Sequence, residues 1–352
     1  MPRRAACAVA ALLALAACTS EEPAGPSADA APSTTPGSIS PSPSPSASAP
    51  REAAEPEADL PPVRDRISLP ALMREEPSGG DLRRVREQPV DAPYRRFEVR
   101  YDAAGATVSG VLLVPRGRGP FPAVVLNHGY IEPSIYVTGQ GLAREQDRLA
   151  REGFAVLHTD YRGHAGSDPA GALERESRLG YTRDAVGAVL ALRELRRVDP
   201  EQVAMLGRSM GGAVTYNVLV AHPGLIDAAV VYAPVSSHFV DNYERWTVPG
   251  RPDAARLLVD RFGPPARAPR AWAALSARTY ADRITEPLLI HHGTLDDSCP
   301  IAWSRATQRA FTRAGVDSRL LVYEGEQHAF GPQWNLSMRR TVRFLRTRLG
   351  QA

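Results

Sequence analysis

The sequence predicts an α/β fold: a mostly parallel, doubly wound sheet with an N-terminal antiparallel hairpin and a small insert between Pro234 and Ile284. Three observations carry this expectation. From Pro122 to the C-terminal region, short apolar runs alternate with helical periodicities, as in sheets covered on both faces. Ahead of them, two alternating segments, Tyr94 to Tyr101 and Thr107 to Val114, bracket the turn Asp102-Ala103-Ala104-Gly105 and read as an antiparallel hairpin. Between Val203 and Leu219, an apolar run enters Gly207-Arg208-Ser209-Met210-Gly211-Gly212 and then an amphipathic stretch, which is a strand, a sharp turn and a helix.

The chain begins with Arg3 and Arg4 before an apolar run from Ala5 to Ala17, too short to span a bilayer and matched to a secretory signal. Leu15-Ala16-Ala17-Cys18 resembles the lipobox of bacterial lipoproteins, with an Ala-x-Ala-type cleavage site as the competing reading. The resemblance implies lipidation at Cys18, export, and anchorage on the outer face of the bacterial cell membrane, where several acyl chains hold stably and one does not. Residues 1–17 are then the signal peptide, 18–63 a tether and 64–352 the folded domain. The tether is nearly all Pro, Ser, Ala, Thr and Glu; it cannot bury enough apolar surface to offset its ordering entropy.

Within the domain, Ile67 to Glu87 carries weak signals and one short helix around Leu72. Pro122 to Asn127 is apolar throughout, as a strand buried on both faces must be. A helix follows from about Gly141 to Glu152, then strand Ala155 to Thr159. The next helix runs from about Thr182 to Arg197, stopped by Asp199-Pro200. After the serine-bearing turn come strand Ala228 to Tyr232, an irregular insert, and strand Pro287 to His291. Helix Trp303 to Arg313, strand Ser318 to Tyr323 and helix Leu336 to Leu349 complete the chain.

A formal net charge of +3 over 352 residues, with scattered arginines and no basic tract among aromatics, gives nucleic-acid binding no support. Of the three cysteines, Cys7 and Cys18 lie in the leader, so Cys299 is alone in the domain and has no disulfide partner there.

Sheets of this class bind ligands at the carboxyl ends of their strands. Ser209, flanked by glycines, is the candidate nucleophile on one such end. Asn127-His128-Gly129-Tyr130 ends another, and the amides of Tyr130 and Met210 can form an oxyanion hole contributing about 3 kcal/mol per donor. His128 reads as a packing residue under that loop, and His164 as part of a glycine-rich turn whose Asp160 and Arg162 fix loops. After the last strand, His328 sits in a polar loop as candidate base. Asp296 and Asp297 both offer a carboxylate to orient it, and the chain order Ser, Asp, His fits the class. His291 and His292 are adjacent in a strand and face opposite ways, and no ligand spacing completes a metal site, so neither metal nor other cofactor is expected.

Together, Gly207-Arg208-Ser209-Met210-Gly211-Gly212, His292-Gly293-Thr294-Leu295-Asp296-Asp297 and Gln327-His328 resemble the α/β-hydrolase superfamily. The chain is most similar to the catalytic domain of the prolyl oligopeptidase family and its dienelactone-hydrolase-like relatives, over about Tyr94 to Leu349. The family pattern selects Asp296 as the acid. Those enzymes usually carry a β-propeller that gates the site; only a tether and a short lead-in precede the domain here, so ester as well as short-peptide hydrolysis stays open.

The reading is therefore a serine hydrolase that cleaves a peptide or ester bond through an acyl-enzyme, with a small-ester esterase as the alternative. A non-catalytic surface binding protein on the same fold is the alternative from another class. A histidine base must be neutral, so activity is expected to fall as pH drops below about 6–7. Phe239, Tyr243, Trp246 and Trp272 in the insert are expected to roof the substrate pocket.

Overall fold

The structure, a computed structural model, describes residues 60–351. The signal segment, Cys18 and nearly all of the expected tether lie outside the described residues. Leu60 and Pro61, which composition assigns to the tether, have their carbonyls held by the Arg74 guanidinium at 3.0 and 2.6 Å. Among the described residues no helix is long and apolar enough to cross a membrane.

The strands are β1 (Gly79–Gln88), β2 (Tyr94–Ala103), β3 (Ala106–Pro115), β4 (Phe121–Asn127), β5 (Ala155–Thr159), β6 (Val198–Arg208), β7 (Ala228–Tyr232), β8 (Leu288–Gly293) and β9 (Ser318–Tyr323). They form one nine-stranded sheet in the order β1-β2-β3-β5-β4-β6-β7-β8-β9. β1 to β3 pair antiparallel and β3 meets β5 antiparallel; every pairing from β5 to β9 is parallel. The fold is of the α/β-hydrolase type expected from the sequence.

Helices α1 (Leu69–Leu72), α2 (Ala143–Arg151), α3 (Ala172–Ser177), α4 (Leu179–Arg193) and α5 (Met210–Ala221) precede the insert. Helices α6 (Phe239–Asn242), α7 (Val248–Gly250), α8 (Pro252–Phe262) and α9 (Pro269–Ala273) lie inside it. Helices α10 (Ile301–Arg313) and α11 (Trp334–Arg348) follow. The continuous apolar runs of the central strands follow from a sheet buried on both sides. Val125, Leu157, Met205 and Val231 pack with Val189 and Leu192 of α4 and Val214 of α5. Their neighbours Val124, Val156, Leu206 and Val230 face the other way, onto Leu149 of α2 and Met338, Val342 and Leu345 of α11.

Three local expectations need correction. Residues 79–88 form a full strand, hidden in the sequence because this edge of the sheet is largely exposed and carries bulges between Gly80 and Arg83 and between Arg84 and Arg86. Helix α4 ends at Arg193, and Asp199-Pro200 lies inside the opening of β6. There the ladder skips from Phe121↔Val198 to Ala123↔Val203, so the proline leaves no central hydrogen bond unmade. The insert is helical rather than irregular; α8 and α9 each start on a proline, which presets φ for a first helical turn.

Candidate active site

A tight turn joins β6 to α5. Ser209 takes φ 55° and ψ −119°, a conformation that costs a non-glycine residue about 1–3 kcal/mol. Its surroundings hold it there. The Ser209 N–H donates to Tyr232 O at 3.0 Å, and its carbonyl accepts from Gly212 at 2.9 Å and Val235 at 3.1 Å. The turn also needs two close backbone approaches: a Cβ on Gly207 would lie 2.2 Å from Gly211 O, and one on Gly211 would lie 2.0 Å from Asn127 O.

The loop after β4 lies over this turn. A Cβ on Gly129 would sit 3.2 Å from Ser209 Cβ and 3.7 Å from its Oγ, so the glycine admits the backbone beside the hydroxyl. Met210 opens α5, whose first amides are free to face an anion. Among the described residues, neither the Tyr130 nor the Met210 amide donates a hydrogen bond. Below the loop, Asp160 accepts from Ser109 Oγ (2.6 Å), Tyr136 OH (2.8 Å) and the Gly139 amide (2.8 Å). Arg162 is bound to Asp184 at 2.8 Å, so Asp160 and Arg162 both fix loops as expected. His128 is fully buried, stacks on Tyr136 and contacts the Gly129 carbonyl at 2.6 Å; burial pulls its pKa down to about 4. His164 is buried between the carbonyls of Arg162 and Ile131, both at 3.3 Å.

At the ends of β8 and β9 the structure brings Asp296 and His328 together. His328 Nδ1 lies 3.0 and 2.9 Å from the two carboxylate oxygens of Asp296. The same carboxylate accepts from the amides of Ser298 (3.0 Å) and Cys299 (2.8 Å), and His292 Nε2 is 3.2 Å away. Burial works to raise the Asp296 pKa, but the bonds from His292 and His328, the charge of His328 and the Cys299 amide hold it well below the usual carboxylate range. Asp297 is exposed and contributes its carbonyl to Arg245. The histidine loop is pinned by Glu326, whose carbonyl accepts from Leu295 at 2.9 Å and whose carboxylate accepts from the Gly331 amide at 2.6 Å. Nothing in the sequence marks Glu326 for this task.

Ser209 Oγ contacts Cys299 Sγ at 4.0 Å, and among the described residues it makes no hydrogen bond to His328. Burial, followed by the charge of Asp296, pushes the Cys299 thiol far up, which leaves it protonated and unreactive. His291 and His292 do face opposite ways: His291 contacts Tyr323 OH at 2.7 Å, and His292 contacts Ser304 Oγ at 2.6 Å.

The four insert aromatics divide. Tyr243 and Trp272 are buried against each other, 4.5 Å between ring centroids, and Trp272 donates to Gly263 O at 2.9 Å. Phe239 packs beside Trp272 at 5.8 Å and edges a narrow cleft. Trp246 packs on Trp303 against Ala213, Val235 and Cys299, next to the nucleophile turn. Tyr243 and Trp272 therefore belong to the core of the insert rather than to a pocket roof, packed into one cluster with Leu258, Phe262 and Leu275.

Residues 141–352 match the model of the prolyl oligopeptidase family. The acylamino-acid-releasing enzyme of Homo sapiens is 28% identical over 278 residues, covering 74% of this chain and 36% of that enzyme. The uncharacterized peptidase YuxL of Bacillus subtilis is 26% identical, covering 71% of this chain and 37% of that protein. The chain thus spans about a third of the length of these relatives. Among solved structures, a Mycobacterium tuberculosis puromycin-hydrolyzing peptidase superposes with a TM-score of 0.61 at 26% identity, over 76% of this chain and 41% of that one. Acetyl xylan esterase 1 from Thermoanaerobacterium superposes at 0.58 with 17% identity, over 79% of this chain and 92% of that one, which shows the shared fold. The chain belongs to the prolyl oligopeptidase family.

Proposed function

We propose that the protein cleaves ester or short-peptide bonds by two-step acyl transfer, with Ser209 as nucleophile, His328 as base and Asp296 as its orienting acid. The observation that carries this reading is the His328–Asp296 pair, 2.9 Å apart, after β8 and β9 at the same edge of the parallel sheet as the strained serine turn after β6. His328 takes the Ser209 proton as Oγ bonds to the substrate carbonyl carbon. The Tyr130 and Met210 amides then receive the oxyanion. Collapse breaks the bond to the leaving alcohol or amine, which takes its proton from His328. Water, activated by the same base, releases the acyl group and restores Ser209. A Ser209–His328 hydrogen bond, which the structure does not hold, forms when substrate displaces the hydroxyl from its contact with Cys299.

Similarity to an acylamino-acid-releasing enzyme supports an acylated peptide as substrate, and the same geometry serves esters. A panel of p-nitrophenyl esters and aminoacyl p-nitroanilides decides between them. Wild-type protein should turn over one series, and Ser209→Ala should lose about 10³-fold or more of that rate. Undiminished turnover by Ser209→Ala removes the proposal. The lead sequence supports a lipid anchor at Cys18 that holds the domain on the outer face of the cell membrane. If that is right, Cys18→Ser should move the protein from the membrane fraction to the soluble fraction, and an unchanged distribution would refute the anchor.

A further inference from the structure

The edge of the sheet opposite the serine turn carries a cleft that the mechanism above does not use. Ser209 follows the last residue of β6, whereas Arg197 precedes the first, where Val198 pairs with Phe121. Arg84 on β1, Arg95 on β2 and Arg116 just after β3 join Arg197 there. The four line one open cleft of about 250 Å³ beside Phe97.

Each guanidinium but one is tied to a fixed oxygen, and that one rests on a ring. Arg84 and Arg95 lie over Phe97, 4.4 and 4.9 Å from its centroid. Arg116 Nε donates to Ala92 O at 3.2 Å, and Arg197 donates to Pro115 O at 3.0 Å and Gly117 O at 2.7 Å. Arg95 is bound to the Glu87 carboxylate at 2.8 and 2.6 Å, and the charge of Glu87 also reaches Arg116 and Arg84. Among the described residues, Arg84, Arg116 and Arg197 have no ion pair of their own. The whole chain sets 42 basic residues against 39 acidic ones, but here four arginines meet the one carboxylate of Glu87, an excess of three positive charges.

Size, charge and the ring decide what such a cleft accepts. A guanidinium has five N–H donors and none of these contacts uses more than two, so donors remain for a ligand. Their positions are set before anything binds, which lowers the entropic cost of capture. The volume falls below the usual range for organic ligands and suits a compact group. Phe97 is buried under two guanidiniums, so it leaves no aromatic face on which a base could stack. Forked donors with excess positive charge match a dense cluster of anionic oxygens, as on phosphate.

We propose that this cleft binds a compact phosphate-bearing anion of the diphosphate class, whose charge of about −3 at neutral pH balances the excess. Held at the edge remote from Ser209, the anion is a ligand and not a substrate of the catalytic groups. The test is calorimetric titration of the full chain with pyrophosphate at low ionic strength, which reads binding whether or not the protein hydrolyses esters. Wild type should bind one equivalent saturably, and Arg84→Gln combined with Arg116→Gln should weaken binding by about 30-fold or more. Both residues are exposed, so the double variant should keep its thermal midpoint and its kcat/KM toward p-nitrophenyl esters. No saturable binding by wild type in the millimolar range, or equal binding by the two proteins, overturns the site. Loss of hydrolysis in the double variant overturns its separation from the catalytic groups. Vesicles of phosphatidic acid and of phosphatidylcholine separate the two sources of such a group. A lipid headgroup predicts that wild type sediments with phosphatidic acid more than the double variant does, and that pyrophosphate removes the difference. A soluble ligand predicts pyrophosphate binding with equal sedimentation of the two proteins.

Discussion

At the residue scale, the carboxylate of Asp296 is the most heavily determined group in the site. It accepts from two amides and meets two imidazoles, and together these outweigh the burial that works against its charge. A carboxyl held below its ordinary pKa is ionised there and upward, and it loses its charge only at strongly acid pH. Loss of activity on mild acidification must therefore follow a histidine and not this acid. Asp296→Asn keeps the shape and removes the charge that stabilises an imidazolium; kcat/KM should fall by about 10³–10⁴-fold at pH 7. A steady-state assay checks this, and an Asn variant with wild-type kinetics would show that Asp296 has no such role. The serine turn and the loop of His328 were legible as the ends of apolar runs, whereas the residues left Asp296 and Asp297 both open as the acid and only the family resemblance selected Asp296. Glu326 was not legible, because its task of pinning the histidine loop comes from the amides of Leu295 and Gly331, which only the fold brings to it.

At the element scale, the strand–turn–helix unit of β6 and α5 works because backbone approaches backbone where side chains would normally keep them apart. Gly211→Ala puts a methyl group into the Asn127 carbonyl, 2.0 Å from its oxygen, where neither strand end nor helix start can give way. The substitution should cost about 3 kcal/mol of stability and remove activity with it. At Gly250 an added methyl group would meet no heavy atom within 4 Å, so alanine there should be tolerated within about 0.5 kcal/mol. Urea unfolding of both variants tests the contrast, and equal midpoints would count against the packing account. Elements that bury both faces announced themselves through unbroken apolar runs, as β4, β5 and β7 did. β1 did not, because an exposed, bulged edge strand carries charge where a central strand carries valine.

At the scale of the whole molecule, the fold stores several buried histidines in neutral form. Burial pulls His128 and His222 down to about 4 and His291 to about 3. Each folded-state pKa is depressed below the unfolded value of about 6.5, so the unfolded chain binds more protons in the interval between. Stability from these groups is complete above about pH 6.5 and is lost as pH falls toward 4, by about 1.4 kcal/mol per pH unit for each histidine. Thermal midpoints should thus drop steadily from pH 7 to pH 5, and a flat profile would contradict the assigned burial. The same sheet gathers Ser209, Asp296 and His328, spread over more than a hundred residues of sequence, onto one rim. The most direct measurement of that convergence is peptide mapping of the fluorophosphonate adduct in wild type and in Asp296→Asn. The account predicts stoichiometric modification of Ser209 in wild type and a rate lower by orders of magnitude in the variant. An adduct on another residue, or equal rates in the two proteins, would contradict it.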